Sequence, residues 1–223
     1  MRLDIFTLIP HAFAWLTEHR PLAAVLGSEL ELRLWSYRDF TPLRAGQVDD
    51  EPYGGGAGMV LRVDVVCTAL ERVYGEMGSR RIVALAPGGR ALDQALVDEL
   101  AAEDELTLLS ARFEGFDARI VDHVATDVIS IGPYVLSGGE LPAMVVLDAI
   151  ARRLPGAIRE ESGAVESFSD ALEGGVEFPH YTRPPEYRGW RVPDVLLSGN
   201  HAEIGEWRRA QSRERSRARK VAL

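Results

Sequence analysis

Residues 129–141 read Ile-Ser-Ile-Gly-Pro-Tyr-Val-Leu-Ser-Gly-Gly-Glu-Leu, with a Gly132-Pro133 turn between two short apolar runs and a Gly138-Gly139 pair ahead of an apolar segment that begins at Glu140. Glycines where a strand end meets a helix start let backbone N–H and C=O groups approach a ligand with no side chain in the way. The chemistry such a stretch supports is a backbone-lined ligand loop in an α/β protein. Two further loops are candidates of the same kind, Ala84-Leu85-Ala86-Pro87-Gly88-Gly89-Arg90 and Ser110-Ala111-Arg112-Phe113-Glu114-Gly115-Phe116-Asp117. Taken singly, Gly-Pro and Gly-Gly pairs mark ordinary turns more often than ligand sites.

The elements that must hold these loops alternate along the chain. Short apolar runs predict strands at 3–9, 31–35, 82–86, 106–110 and 128–131, and longer amphipathic segments predict helices at 11–18, 63–77, 93–102, 116–124 and 140–154. That order gives an α/β fold, a mainly parallel sheet with helices on both faces. The three loops then fall at carboxyl ends of strands, where an open α/β sheet binds its ligand. After Pro155-Gly156 the character changes. Residues 157–168 are polar and acidic and read as a linker. Beyond them Pro179, Pro184, Pro185 and Pro193 interrupt an irregular stretch before a helix at about 200–217. The expected organisation is a domain at 1–156, a linker at 157–168 and a small α-helical domain at 169–223.

Composition narrows the functional classes. At 223 residues the chain can bury one sizeable core, or one domain with an appendage. No run approaches 18 apolar residues, so no membrane span or membrane partner is expected. The start, Met1-Arg2-Leu3-Asp4, carries an acid early and reads as a first strand rather than a signal peptide, which points to the cytoplasm. A single cysteine, Cys67, excludes an intrachain disulfide and argues against a disulfide-linked partner. The five histidines lack ligand spacing, and no metal site is expected. Net charge is −9, yet residues 208–223 hold six arginines, one lysine and one glutamate, leaving −15 on the other 207. A basic tail on an acidic body suits phosphate contacts, and equally a solvated helix end.

Common cofactor motifs are absent. The only lysine is Lys220, so there is no Walker A loop, and in the run Gly54-Gly55-Gly56-Ala57-Gly58 the third glycine of Gly-x-Gly-x-x-Gly would fall on Met59 or Leu61. Ser137 and Ser198 lack the preceding glycine of a nucleophile elbow.

The 129–141 string closely resembles the cofactor segment of the bacterial tRNA (guanine-N1)-methyltransferases, enzymes of the trefoil-knot (SPOUT) class that methylate guanosine at tRNA position 37. The loops at 84–90 and 110–117 match in the family's order and spacing, which reverses the odds for the three glycine loops. A fourth match is Val48-Asp49-Asp50-Glu51-Pro52-Tyr53-Gly54-Gly55-Gly56-Ala57-Gly58-Met59. The fifth joins Pro179-His180-Tyr181-Thr182-Arg183-Pro184, residues 192–204 and Trp207-Arg208. Together they span residues 2–208.

The resemblance implies a C-terminal trefoil knot in the first domain that holds S-adenosyl-L-methionine. Its contacts would come from Leu85, Ala86 and Pro87 in the first loop, and from Ala111, Glu114 and Gly115 in the second. The third would supply Ser130, Ile131, Gly132, Pro133, Tyr134, Val135, Leu136, Gly138 and Gly139. The loop bearing Tyr53 and Gly55 would close beside cofactor and guanine, an aromatic next to a flexible run being suited to stacking plus closure. His180, Arg183, Ser198, Asn200 and His201 would belong to a domain that grips the anticodon arm, shortened here because the chain stops at Leu223. Read without the family, the same stretches fit a surface loop and a packed irregular subdomain. The family also implies a homodimer and suggests a requirement for Mg2+. One departure is Ala111-Arg112-Phe113-Glu114, where the family has glycine before Arg-Tyr-Glu-Gly. Were residue 111 to need φ > 0, alanine would cost roughly 1 kcal/mol.

Guanine N1 carries a proton and is a poor nucleophile at neutral pH. Its methylation needs a base for that proton and a cation near O6, where negative charge gathers. The resemblance assigns the cation to Arg152, in Ala151-Arg152-Arg153-Leu154-Pro155-Gly156, and the base to the aspartate of an Asp-Ser-Phe motif. Here the aligned run is Glu166-Ser167-Phe168-Ser169-Asp170, so the base is Glu166, one methylene longer, with Asp170 as runner-up. A binding-only relative that holds S-adenosyl-L-methionine or tRNA without efficient transfer is the alternative.

Overall fold

Leu3 and Ile5 of the first strand, β1 (Arg2–Thr7), enter one hydrophobic cluster and Phe6 enters another, so the strand is buried on both faces, as parallel sheets require. A computed structural model describes residues 1–75, 80–159 and 166–222. It sets β1 in a five-stranded sheet in the order β2 (Glu31–Ser36), β1, β6 (Glu105–Leu109), β5 (Arg81–Ala91), β7 (Asp127–Ser130), every pairing parallel. The helices α1 (Ala14–Glu18), α2 (Leu22–Val25), α4 (Gln94–Ala101) and α6 (Glu140–Arg153) bury their apolar sides in the cluster with Leu3 and Ile5. On the other face α3 (Val63–Tyr74) and α5 (Ala118–His123) pack around Phe6 and Leu109. The α/β reading, with a parallel sheet and helices on both faces, is borne out.

Boundaries differ for local reasons. The helix expected at 11–18 opens as a 3-10 turn, Pro10–Phe13, because Pro10 starts it without an N–H to donate. The helix expected to reach residue 77 stops at Tyr74, where Gly75 adopts φ 70°; residues 76–77 of that expectation lie outside the described residues. α2 and the antiparallel pair β3 (Asp49–Asp50) and β4 (Val60–Leu61) were not predicted, since two to four residues carry no readable period.

The strand expected at 82–86 runs on to Ala91 through an excursion. Ile129 of β7 is the partner of Leu85 and again of Arg90, so residues 86–89 leave the ladder and return to it. Gly89 makes the return possible. A Cβ there would stand 2.5 Å from Ile129 N and 2.6 Å from Val128 O. At the other end of the same pair, Arg81 donates Nε to Asp127 Oδ2 at 3.0 Å and Nη2 to Oδ1 at 2.9 Å. This bidentate pairing holds the Asp127 carboxyl below the usual carboxylate range.

The chain separates into two compact units, Met1–Ala157 and Ile158–Leu223. In the second, α8 (His201–Ala222) is fastened to residue 176 by hydrogen bonds in both directions: Val176 N donates to Ser216 Oγ at 2.9 Å, and Ser212 Oγ donates to Val176 O at 2.7 Å. A two-residue hairpin, β8 (Glu186–Tyr187) with β9 (Trp190–Arg191), and the short α7 (Asp194–Leu197) precede it. Residues 160–165 of the expected linker lie outside the described residues.

Gly89→Ala should lower stability by about 1–3 kcal/mol, the usual cost of overpacking a closed site. Gly88→Ala, where nothing lies within 4 Å of an added Cβ, should change it by less than about 0.5 kcal/mol. Urea unfolding midpoints check this, and equal midpoints for the two variants would contradict the close approach.

Candidate active site

The loops after β5, β6 and β7 surround a cavity of about 300 Å³ in the first unit. Of the residues expected to hold the cofactor, all line it except Pro133. Arg112, Phe113, Phe116, Val121, Ile129 and Pro142 line it as well. The first three lie in the second predicted loop, and their types, one cation and two aromatics, were the available signal. Val121 and Pro142 sit on helices, where no loop signal exists, whereas Ile129 is the strand residue that begins the 129–141 string.

The third loop is built against the second by main chain. Gly139 N donates to Ala111 O at 2.6 Å, and the buried Ser110 hydroxyl donates to Gly139 O at 3.1 Å. A Cβ on Gly139 would stand 2.8 Å from Ser110 Cα. The turn at Gly132 is similarly closed: its φ is 156°, the Tyr134 ring occupies the space a Cβ would take, and Ser130 Oγ donates to Gly132 O at 3.1 Å. Ala111 does not take positive φ, so the cost foreseen for it does not arise; its methyl is buried at 7% exposure. Phe113 takes that conformation instead, at φ 61°, while its ring remains exposed at the cavity. A non-glycine residue in left-handed geometry stores strain of the kind that gathers at ligand sites.

Glu140, the first residue of α6, is buried and accepts from Thr7 Oγ1 at 2.9 Å and from Arg112 Nη1 at 3.3 Å. Burial and the nearby negative charge of Glu140 push the Tyr37 phenol well above its ordinary range. The loop with Tyr53 and Gly55 is anchored at its far end. Glu114 N donates to Met59 O at 2.9 Å, Leu61 N donates to Gly115 O at 3.0 Å, and the Glu114 side chain packs over Gly58. Tyr53 itself is fully exposed.

Arg152 does not line this cavity. It lies exposed in the last turn of α6, ten residues beyond the cavity-lining Pro142, which at ~1.5 Å per residue is roughly 15 Å along the helix. Glu166 belongs to the second unit, in a turn where its carbonyl accepts from Ser169 N at 3.1 Å and Phe168 takes φ 71°. Asp170 opens a 3-10 turn immediately after.

Within the second unit His180 and Arg183 line a separate cavity of about 490 Å³ with Phe178, Tyr181, Trp207 and Arg208. Ser198, Asn200 and His201 lie outside it, at the start of α8. There Ser198 Oγ accepts from Asn200 N at 3.1 Å, and Asn200 Oδ1 caps the helix by accepting from Ala202 N at 3.2 Å. Among the described residues no group of three or more His, Cys, Asp or Glu is placed to hold a metal. No helix among them is long and apolar enough to cross a membrane.

Compared with known proteins, residues 1–223 match the family described as tRNA (Guanine-1)-methyltransferase TrmD. A tRNA (guanine-N(1)-)-methyltransferase of Brevibacillus brevis is 47% identical over 225 residues, covering 100% of this chain and 91% of that protein. The similarly named protein of Geobacillus kaustophilus is 45% identical, covering 100% and 91%, and that of Dehalococcoides mccartyi 44%, covering 99% and 89%. With a match along its whole length and relatives of this similarity, the chain belongs to the tRNA (guanine-1)-methyltransferase family.

Proposed function

We propose that this protein transfers a methyl group from S-adenosyl-L-methionine to N1 of guanosine at position 37 of tRNA, and does so as a homodimer. The observation that carries the reading is the cavity walled by three glycine-bearing loops in a chain of this family. Main-chain walls at Gly132 and Gly139, with apolar Leu85, Ile129 and Leu136 around them, fit a flat, uncharged adenosine and the methylene chain of the methionine portion. When bound, the cofactor supplies a methyl group on a sulfonium that departs as a neutral thioether. The chain's own groups handle the guanine. A carboxylate takes the N1 proton, and a guanidinium faces O6 as charge accumulates there.

The base is Glu166 and the cation Arg152. The roughly 15 Å of helix between Pro142 at the cavity and Arg152 supports a shared site, in which these groups serve the cofactor bound by the other subunit. The doubled pairing of Ile129 and the passage of Gly139 over Ser110 support a trefoil knot around the cavity. The second unit grips the anticodon arm, with His180, Arg183 and the arginines of α8 facing phosphate. One residue favours a binding-only relative, the longer Glu166 at the base position, since a reach error near 1 Å costs about a hundredfold. Methyl transfer to unmodified tRNA bearing guanosine at positions 36 and 37 separates the two.

Gly132→Val should abolish cofactor binding by calorimetry with the fold retained in circular dichroism; undiminished binding would remove the cavity from the site. Glu166→Gln should lower turnover by roughly 10²–10⁴-fold with cofactor affinity nearly unchanged, and Asp170→Asn should have a minor effect. A silent Glu166→Gln beside an inactive Asp170→Asn would move the base to Asp170. Arg152→Ala should lose about 10²–10³-fold. Co-expressed with Gly132→Val, it should regain roughly a quarter of wild-type activity, because half the dimers then carry one intact shared site. No recovery in isolated mixed dimers would place both groups in one subunit's site.

A further inference from the structure

Glu140 is an acid where acids are seldom found, 5% exposed at the first position of a 14-residue helix. Both of its oxygens are used. Thr7 Oγ1, at the end of β1, donates to Oε1 at 2.9 Å, and Arg112 Nη1, in the second loop, donates to Oε2 at 3.3 Å. Residues 7, 112 and 140 come from three distant parts of the sequence and meet at this carboxylate. The N-terminal end of α6 favours negative charge at Glu140, and the ion pair with Arg112 offsets part of the cost of burying that charge.

Arg112 is fixed from two sides. Its Cγ and Nη1 lie 3.0 Å from where a Cβ on Gly138 would stand, so the side chain lies across that glycine, and the two residues form an antiparallel bridge. Beyond the glycine, Glu140 takes one donor of the guanidinium. An arginine carries five N–H donors in a planar fork, and this one lines the cavity with its side chain 34% exposed. Such a fork matches a carboxylate or a phosphate.

We propose that Glu140, itself held by Thr7, is a positioning residue that aims Arg112 into the cavity to receive an anionic group. The inference rests on the reading of this cavity as the S-adenosyl-L-methionine site of a tRNA methyltransferase. Two sources of the anion share one chemistry: the carboxylate of the cofactor's amino-acid portion and a phosphate of the RNA.

The test is a double-mutant cycle on the full chain with Glu140→Gln and Arg112→Ala, reading cofactor Kd by calorimetry and KM for tRNA by methyl transfer. Glu140→Gln keeps the size and an acceptor for Thr7 but removes the charge. It should worsen one of the two constants by about tenfold, the worth of one charge-assisted hydrogen bond. Arg112→Ala should worsen the same constant at least as much, and the double variant should match Arg112→Ala alone. A change in Kd identifies the cofactor carboxylate, and a change in KM for tRNA identifies a phosphate. Thr7→Val should produce a smaller loss in the same constant, absent in the Arg112→Ala background, and it carries the test if Glu140→Gln fails to fold. Additive losses, or a lowered melting temperature with both constants unmoved, would overturn the proposal. A wild-type chain that neither binds the cofactor nor transfers methyl would overturn the underlying reading as well; an active one with an additive cycle would overturn this inference alone.

Discussion

Main chain pressed on main chain at two glycines is the constraint from which the rest of the first unit follows. Gly89 meets Val128 and Ile129, and Gly139 meets Ser110 and Ala111, each at distances that leave no room for a side chain. Segments that approach this closely satisfy one another's backbone groups, as Gly139 N and Ala111 O do at 2.6 Å. The cavity walls are therefore fixed before a ligand arrives, and little ordering entropy remains to oppose binding. Close packing also explains why the loops hold a strained Phe113 and a Gly132 turn backed by its own Tyr134.

Ionic pairs secure both ends of this arrangement. Arg81 grips Asp127 where β5 and β7 begin, and also reaches Glu103 at 3.1 Å beyond α4. At the carboxyl ends of the strands, Glu140 joins β1 to the second and third loops. The two are physically different. The first is partly exposed and contributes mainly register, whereas the second is buried and loses heavily if one partner is removed. A sheet of five parallel strands with its loops on one edge gains from having that edge stiffened rather than left to loop entropy.

Much of this was legible in the sequence, and the exceptions share a cause. Alternating apolar runs marked all five strands of the sheet, because buried parallel strands must be apolar. Glycines marked the loops that meet at the cavity, and at Gly89, Gly132 and Gly139 the contacts found leave no room for a side chain. The elements of two to four residues escaped, having no period to read. Val121 and Pro142 escaped because a helix residue reaches a cavity only through tertiary packing. Glu140 looked like an ordinary acid at a helix start; its burial depends on Thr7, which lies 133 residues away. Arg152 and the cofactor residues share one motif-level description, yet a helix stands between them, and that separation is a matter of length rather than pattern.

The double pairing of Ile129 has a bearing on how the site can change over evolutionary time. Ordinary loops tolerate added residues because their ends are tethered only by entropy, which grows slowly with length. Residues 86–89 are not such a loop. They leave a ladder at Leu85 and rejoin the same partner at Arg90, with Gly89 seated against it. One inserted residue would shift Arg90 and Ala91 by one place against β7 and turn their side chains to the opposite face. The wall that this segment contributes is thus open to substitution but closed to insertion, and diversity in ligand preference must arise from side-chain exchange at fixed length.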